Sequence, residues 1–139
     1  GSNPTPATNS DWMKLVKKKL SRLSLLPKTW LIDLDGTIIL HNSHICADNI
    51  LLDKVADLWK IIPKKDKIIL LSAREKKYFI KTINFLKKNK LRYDHIIFGL
   101  NVGERIVVND KKPDGLKTAL AINLKRNEGV GKVIKLLKK

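Results

Sequence analysis

Apolar and polar positions along this chain fall into short blocks whose periods alternate between helix and strand. Over residues 11–26, Trp12, Leu15, Val16, Leu20, Leu23 and Leu26 share one helical face, with Lys17, Lys18 and Arg22 opposite. Asp11 is placed to cap that helix and Pro27 to stop it. Such a helix either packs on a sheet or lies, basic side outward, on a membrane or partner. A compact apolar run at 29–34 then predicts a buried strand, followed by a loop from His41 to Asp48. A helix is expected over about 49–60, with Ile50, Leu51, Val55, Leu58 and Trp59 inward. After Pro63, Lys67–Leu71 predicts a second strand, ending in Ser72-Ala73-Arg74. A helix at about 75–89 with Tyr78, Phe79, Ile83 and Leu86 inward follows. Asp94–Phe98, Arg105–Asn109 and Ala119–Leu124 predict three more strands, and a basic helix at about 129–138 closes the chain.

Strands alternating with helices predict a mainly parallel sheet of about five strands. Right-handed crossovers place the carboxyl ends of such strands together. Asp33, Asp35, Ser72 and Asp110 all follow predicted strands and are expected on one sheet edge, where open α/β sheets bind ligands. Asp33 and Asp35 are one residue apart, and Gly36 permits a sharp turn just after them. Two carboxylates at a strand end are equipped to hold a divalent cation or to do covalent and acid–base work. The plainer alternative is an Asp-Gly turn with incidental acids.

Composition narrows the class. The chain has 139 residues, which suits a single domain, and a 43% hydrophobic content provides for a core. Gly1-Ser2 reads as a cloning scar and residues 1–10 as a polar tail outside the fold. No signal peptide is visible, and no apolar run approaches the roughly 20 residues of a membrane span. One cysteine, Cys46, cannot form an internal disulfide, which fits a reducing, cytoplasmic setting. The net charge is +16, so polyanions, nucleic acid among them, are expected partners. The lysines are spread in pairs over many elements, as solvated faces are, and a lysine-rich composition also arises from genome bias. His41, His44 and Cys46 have the types of metal ligands, but a closed zinc site needs a fourth.

Three segments together carry a resemblance. They are Asp33-Leu34-Asp35-Gly36-Thr37-Ile38, Ile68-Ile69-Leu70-Leu71-Ser72, and Ile106-Val107-Val108-Asn109-Asp110-Lys111-Lys112-Pro113-Asp114. In that order and spacing, residues 28–126 resemble the haloacid dehalogenase-like (HAD) phosphohydrolase superfamily. The resemblance implies a Rossmann-like three-layer sandwich and a Mg²⁺-dependent phosphatase. Asp33 would be the nucleophile that forms an aspartyl-phosphate, and Asp35 the acid and then the base. Mg²⁺ would be held by the Asp33 carboxylate, the Asp35 backbone carbonyl and the Asp110 carboxylate, with Asp114 orienting metal-bound water. Ser72 and Ala73, with the backbone N–H groups of Gly36 and Thr37, would receive the phosphoryl oxygens. An acid at position 35 argues for phosphate rather than halide as the leaving chemistry.

The expected cation before the fourth strand is missing where relatives often carry it, because Leu100 stands there. Arg105 is the favoured substitute, with Lys112 and Lys81 as alternatives. About 37 residues separate Asp35 from Ser72 and about 38 separate Ser72 from Asp110, which leaves no room for a cap domain. An open site behind a short flap at about 38–48 suits a large phosphorylated substrate, or a nucleotide or sugar phosphate roofed by a second copy in a homo-oligomer. Two other readings remain: a catalytically silent binding or regulatory domain, and, more narrowly, a nucleic-acid end phosphatase.

Overall fold

The computed structural model describes residues 23–46 and 48–138. The expected tail at 1–10 and most of the helix expected over 11–26 lie outside them. Three strands form the sheet: β1 (Thr29–Asp33), β2 (Lys67–Leu71) and β3 (His95–Ile97). All pair in parallel, with β2 in the centre. The register sets Asp33 beside Leu71, and Leu71 beside Ile97. The described helices are α1 (Ser43–Cys46), α2 (Val55–Ile61), α3 (Phe79–Lys88) and α4 (Gly131–Lys138). One 3₁₀ turn, Lys76–Tyr78, leads into α3.

The strand order explains where the core lies. Each step, β1 to β2 and β2 to β3, crosses in the same direction, and right-handed crossovers then put α2 and α3 on one face. On that face Ile32, Leu34, Ile68 and Leu70 are buried with Val55, Leu58 and Leu86. Val133 and Ile134 of α4 complete the cluster. The opposite face carries Leu31, which is 48% exposed, and the exposed Ile97. The described residues make two layers around one three-stranded parallel sheet.

The fourth and fifth strands expected at Arg105–Asn109 and Ala119–Leu124 do not join the sheet among the described residues. Ile106 and Val108 are 84% and 86% exposed despite their strand-favouring side chains. Local bonding competes there. Lys111 and Lys117 bridge, Lys112 N–H donates to the Leu116 carbonyl (2.9 Å), and Asn109 Nδ2 donates to the Thr118 carbonyl (3.4 Å). The segment after β3 closes a small loop on itself, which has a low ordering cost. Among the described residues, the outer edge of β1 is left without a ladder.

One further boundary shifts. The expected helix at 49–60 begins at Val55, because Leu40 N–H donates to the Ile50 carbonyl (2.8 Å) and Leu52 N–H to the Ile38 carbonyl (2.9 Å). Residues 38–40 and 50–52 thus form an antiparallel ribbon, and α1 sits at its tip. No described helix is long and apolar enough to cross a membrane.

Asp66 fastens the start of the sheet. This residue is 1% exposed, and its carboxylate accepts the Lys28 backbone N–H (3.0 Å) and the Trp30 indole N–H (2.9 Å). A buried carboxylate is tolerated because those donors are aimed at it. Asp66→Ala leaves both donors without an acceptor and is expected to cost about 2–3 kcal/mol in urea unfolding. Lys65→Ala, which removes an exposed bond to the Leu25 carbonyl, is the control and should stay within about 0.5 kcal/mol.

Candidate functional site

Parallel strands finish on one edge, and the ladder continues one residue past each end. Leu34 N–H donates to the Leu71 carbonyl (3.1 Å) and Ser72 N–H to the Ile97 carbonyl (2.9 Å). Asp33, Asp35 and Ser72 are thereby gathered at one place. Beyond Asp33 the chain turns at once: the Leu34 carbonyl accepts from the N–H groups of Thr37, Ile38 and Ile39. Gly36 has φ +84°, and a Cβ there would meet Arg126 Cγ at 3.2 Å, so the turn is suited to glycine alone.

Asp35 and Asp33 have different surroundings. The Asp35 side chain is 17% exposed and takes a guanidinium fork. Arg74 Nε donates to its Oδ2 (3.0 Å) and a terminal nitrogen to its Oδ1 (2.9 Å). The same guanidinium donates to Asn49 Oδ1 (2.8 Å) and to Thr82 Oγ1 (2.7 Å). The Arg74 side chain is 1% exposed, which a charge tolerates only when its donors are placed this fully. The Arg74 backbone N–H donates to Ser72 Oγ (2.9 Å), so the fully buried Ser72 hydroxyl keeps its own proton to give.

Asp33 is the freer acid. Its side chain is 42% exposed. Thr37 Oγ1 donates to its Oδ2 (3.3 Å), and Arg105 approaches its Oδ1 at 3.4 Å while also donating to the Asn101 and Gly103 carbonyls. Burial of the carboxylate raises its pKa above the ordinary 3.8, against the opposing pull of Arg105 and Thr37, and the Asp35 charge adds to the rise.

His44 projects from the flap onto Asp35. The residue is buried, and its ring meets Tyr78 edge-on at 4.5 Å. Its Nδ1 lies 3.7 Å from Asp35 Oδ1 and has no hydrogen-bond partner among the described residues. Burial, chiefly, and the Arg74 charge lower its pKa below 6.5, so the imidazole is neutral at pH 7.

The other expected site residues are placed as follows. Lys81 Nζ donates to the His44 carbonyl (3.3 Å). The Gly36 and Thr37 N–H groups, expected to face phosphate, already donate to the Ile39 and Leu34 carbonyls. Ala73 is exposed between Ser72 and Arg74. Asp110 is exposed on the 101–118 stretch, its carbonyl accepting from the Thr118 hydroxyl. Asp114 accepts the Leu116 N–H (3.2 Å) within its own turn, and Lys112 holds the same turn through its backbone. Among the described residues no three of His, Cys, Asp and Glu come together as a metal site; the Cys46 side chain is not among those described. Asp33 is a suitable hard oxygen donor, but the acids present do not assemble a cation cage.

Arg74, Asn49, Thr82 and His44 were not marked by sequence reasoning as partners of the acids. Only Arg74 left a signal, standing two residues after the strand-end serine. The others come from the flap and from α3, whose approach to Asp35 is purely tertiary.

No protein-family model matches this chain, and no curated protein matches it. A solved structure, "Structure of Pnkp1/Rnl/Hen1 complex", is similar at 30% identity and a TM-score of 0.46 over 63% of this chain. The match spans 33% of that chain. Such a score does not establish a shared fold, and the HAD likeness remains one of motifs.

Removing Arg74 should be severe. Arg74→Ala strands the Asp35 carboxylate and is expected to destabilise the fold by about 3–5 kcal/mol, with Arg74→Lys intermediate, in chemical unfolding. Asp33→Asn should act oppositely. A carboxyl whose folded pKa is raised supports the fold most below pH 3.8, and that support is lost as the pH climbs through the folded value. The Asp33→Asn variant should therefore melt higher than the parent at pH 7, with the gap closing towards pH 3.

Proposed function

We propose that this chain is a phosphomonoester hydrolase of HAD type working through an aspartyl-phosphate on Asp33. What supports the reading is the division of labour between two acids one residue apart. Asp35 is clamped in the Arg74 fork, whereas Asp33 is half-exposed at the strand end with a guanidinium 3.4 Å away.

In the first step an Asp33 carboxylate oxygen bonds to phosphorus and the ester P–O bond breaks. The leaving oxygen takes its proton from protonated Asp35. In the second step water attacks phosphorus, its proton passes to the Asp35 carboxylate, and the bond to Asp33 breaks. Inorganic phosphate leaves, Asp33 is an anion again, and Asp35 has regained its proton. Arg105 neutralises charge that grows on the phosphoryl oxygens, while Ser72, fully buried, holds the Arg74 backbone in place beneath the site. The Arg74 fork keeps Asp35 in one orientation through both transfers, which is how a fixed geometry lowers the barrier.

Mg²⁺ belongs to the proposal through the motif resemblance, with Asp33 and Asp110 as the carboxylates that would hold it. Because the described acids do not converge, no step above passes through the ion. The lack of a three-ligand cluster among the described residues also favours a second reading, a binding or regulatory domain without turnover.

Hydrolysis of an aryl phosphate separates the two. The parent chain should turn it over, and Asp33→Asn should reduce kcat by about 10⁴-fold or more. Absence of turnover in the parent, or unchanged turnover in the variant, excludes the mechanism. Arg105→Ala should lower kcat/KM about 10²-fold. The raised Asp33 pKa puts the acid limb of the kcat/KM profile above pH 3.8, with activity rising as that carboxyl ionises.

A further inference from the structure

Beyond the strand ends, at the open outer edge of β3, lies a surface the proposed chemistry leaves unused. Lys76, Phe79, Ile96 and Phe98 line a shallow concavity of about 460 Å³. The Phe79 and Phe98 rings lie 5.2 Å apart at 53°. Phe79 opens α3 and is exposed, while the buried side of that helix is carried by Thr82 and Leu86. The fold does not need a phenylalanine there for its core.

The ledge adjoins the site. Phe98 lies between Ile97, whose carbonyl accepts the Ser72 N–H, and Gly99, whose N–H donates to the Arg74 carbonyl (2.9 Å). Leu100 N–H then donates to the Ser72 carbonyl (3.0 Å). Phe98 is thus held by backbone bonds of its neighbours to the turn that presents Ser72 and Arg74.

Resting on the phosphatase reading above, we infer that the Phe79–Phe98 ledge beside Lys76 stacks a nucleobase, so that the phosphate worked on at Asp33 is carried by single-stranded nucleic acid. Two features select this occupant. An exposed aromatic face beside a cation matches a base next to its phosphate, because every base has a π-face and every linkage a charge. Lys76 is exposed and makes no ion pair among the described residues. A second copy of this chain is a poor occupant, since each copy carries +16 and repels the other.

The test is binding, which does not depend on turnover. Fluorescence anisotropy would compare the full chain on terminally phosphorylated single strands, DNA and RNA, with an abasic strand of equal phosphate number. The base-bearing strands should bind at least about 5-fold tighter than the abasic one. Phe79→Ala should abolish that preference while leaving abasic binding near the parent value. Phe79→Leu, which keeps apolar bulk but lacks a flat face, should do the same. Equal binding of base-bearing and abasic strands by the parent overturns the inference, as does a preference that survives both substitutions. Repeating the comparison on Asp33→Asn separates the two claims. A base preference without any hydrolysis by the parent leaves the ledge standing and removes the phosphatase reading; hydrolysis without base preference does the reverse.

Discussion

The fork between Arg74 and Asp35 is the contact on which the rest of this end of the molecule depends. It joins four parts of the chain: the turn after β1, the turn after β2, and, through Thr82 and Asn49, the first turn of α3 and the base of the flap. A guanidinium with 1% of its side chain exposed is costly to leave unpaired, so these groups are ordered together or not at all. That same necessity fixes Ser72, whose hydroxyl accepts the Arg74 backbone N–H. The geometry at the strand ends is in this sense a by-product of satisfying one buried cation.

A second brace works from the carboxyl-terminal side. Asn127 N–H donates to the Gly36 carbonyl (2.8 Å), and the Asn127 side chain accepts the His41 N–H (2.9 Å). Gly129 has φ +87°, and a side chain there would run into the Asp53 carbonyl. The Val130 N–H donates to that same carbonyl (3.2 Å), which seats α4 against α2. Asn127 and Gly129 thereby clip the Asp33–Gly36 turn and the flap to the core.

The sheet shows where strand propensity fails to decide. Ile106-Val107-Val108 has the same apolar, strand-favouring character as Ile68-Ile69-Leu70, but only the second run is paired on both sides and covered by helices. Burial depends on what the topology brings over a segment. Two crossovers in one direction cover one face, and the run at 106–108 lies outside both. Asp110 follows that run and is exposed, and among the described residues no three acids or other ligand types come together as a metal site.

Three strands of the parallel sheet, the helices at 79–88 and 131–138, and the gathering of Asp33, Asp35 and Ser72 at one edge were legible in the sequence. Each follows from local period and from the handedness of crossovers, which act at short range or by general rule. The apolar run ending in Asp33-Leu34-Asp35-Gly36 announces its strand and its turn within a few residues. What the two acids do was not legible there, because identical side chains are told apart only by their neighbours. Arg74 reaches Asp35 across 39 positions and Arg105 reaches Asp33 across 72, and the flap histidine arrives on a ribbon whose pairing replaced the first turn of an expected helix. Sequence determined which chemistry stands at the strand ends; the tertiary structure alone decided which carboxylate is clamped and which is left open, because charge pairing is set by distance through space.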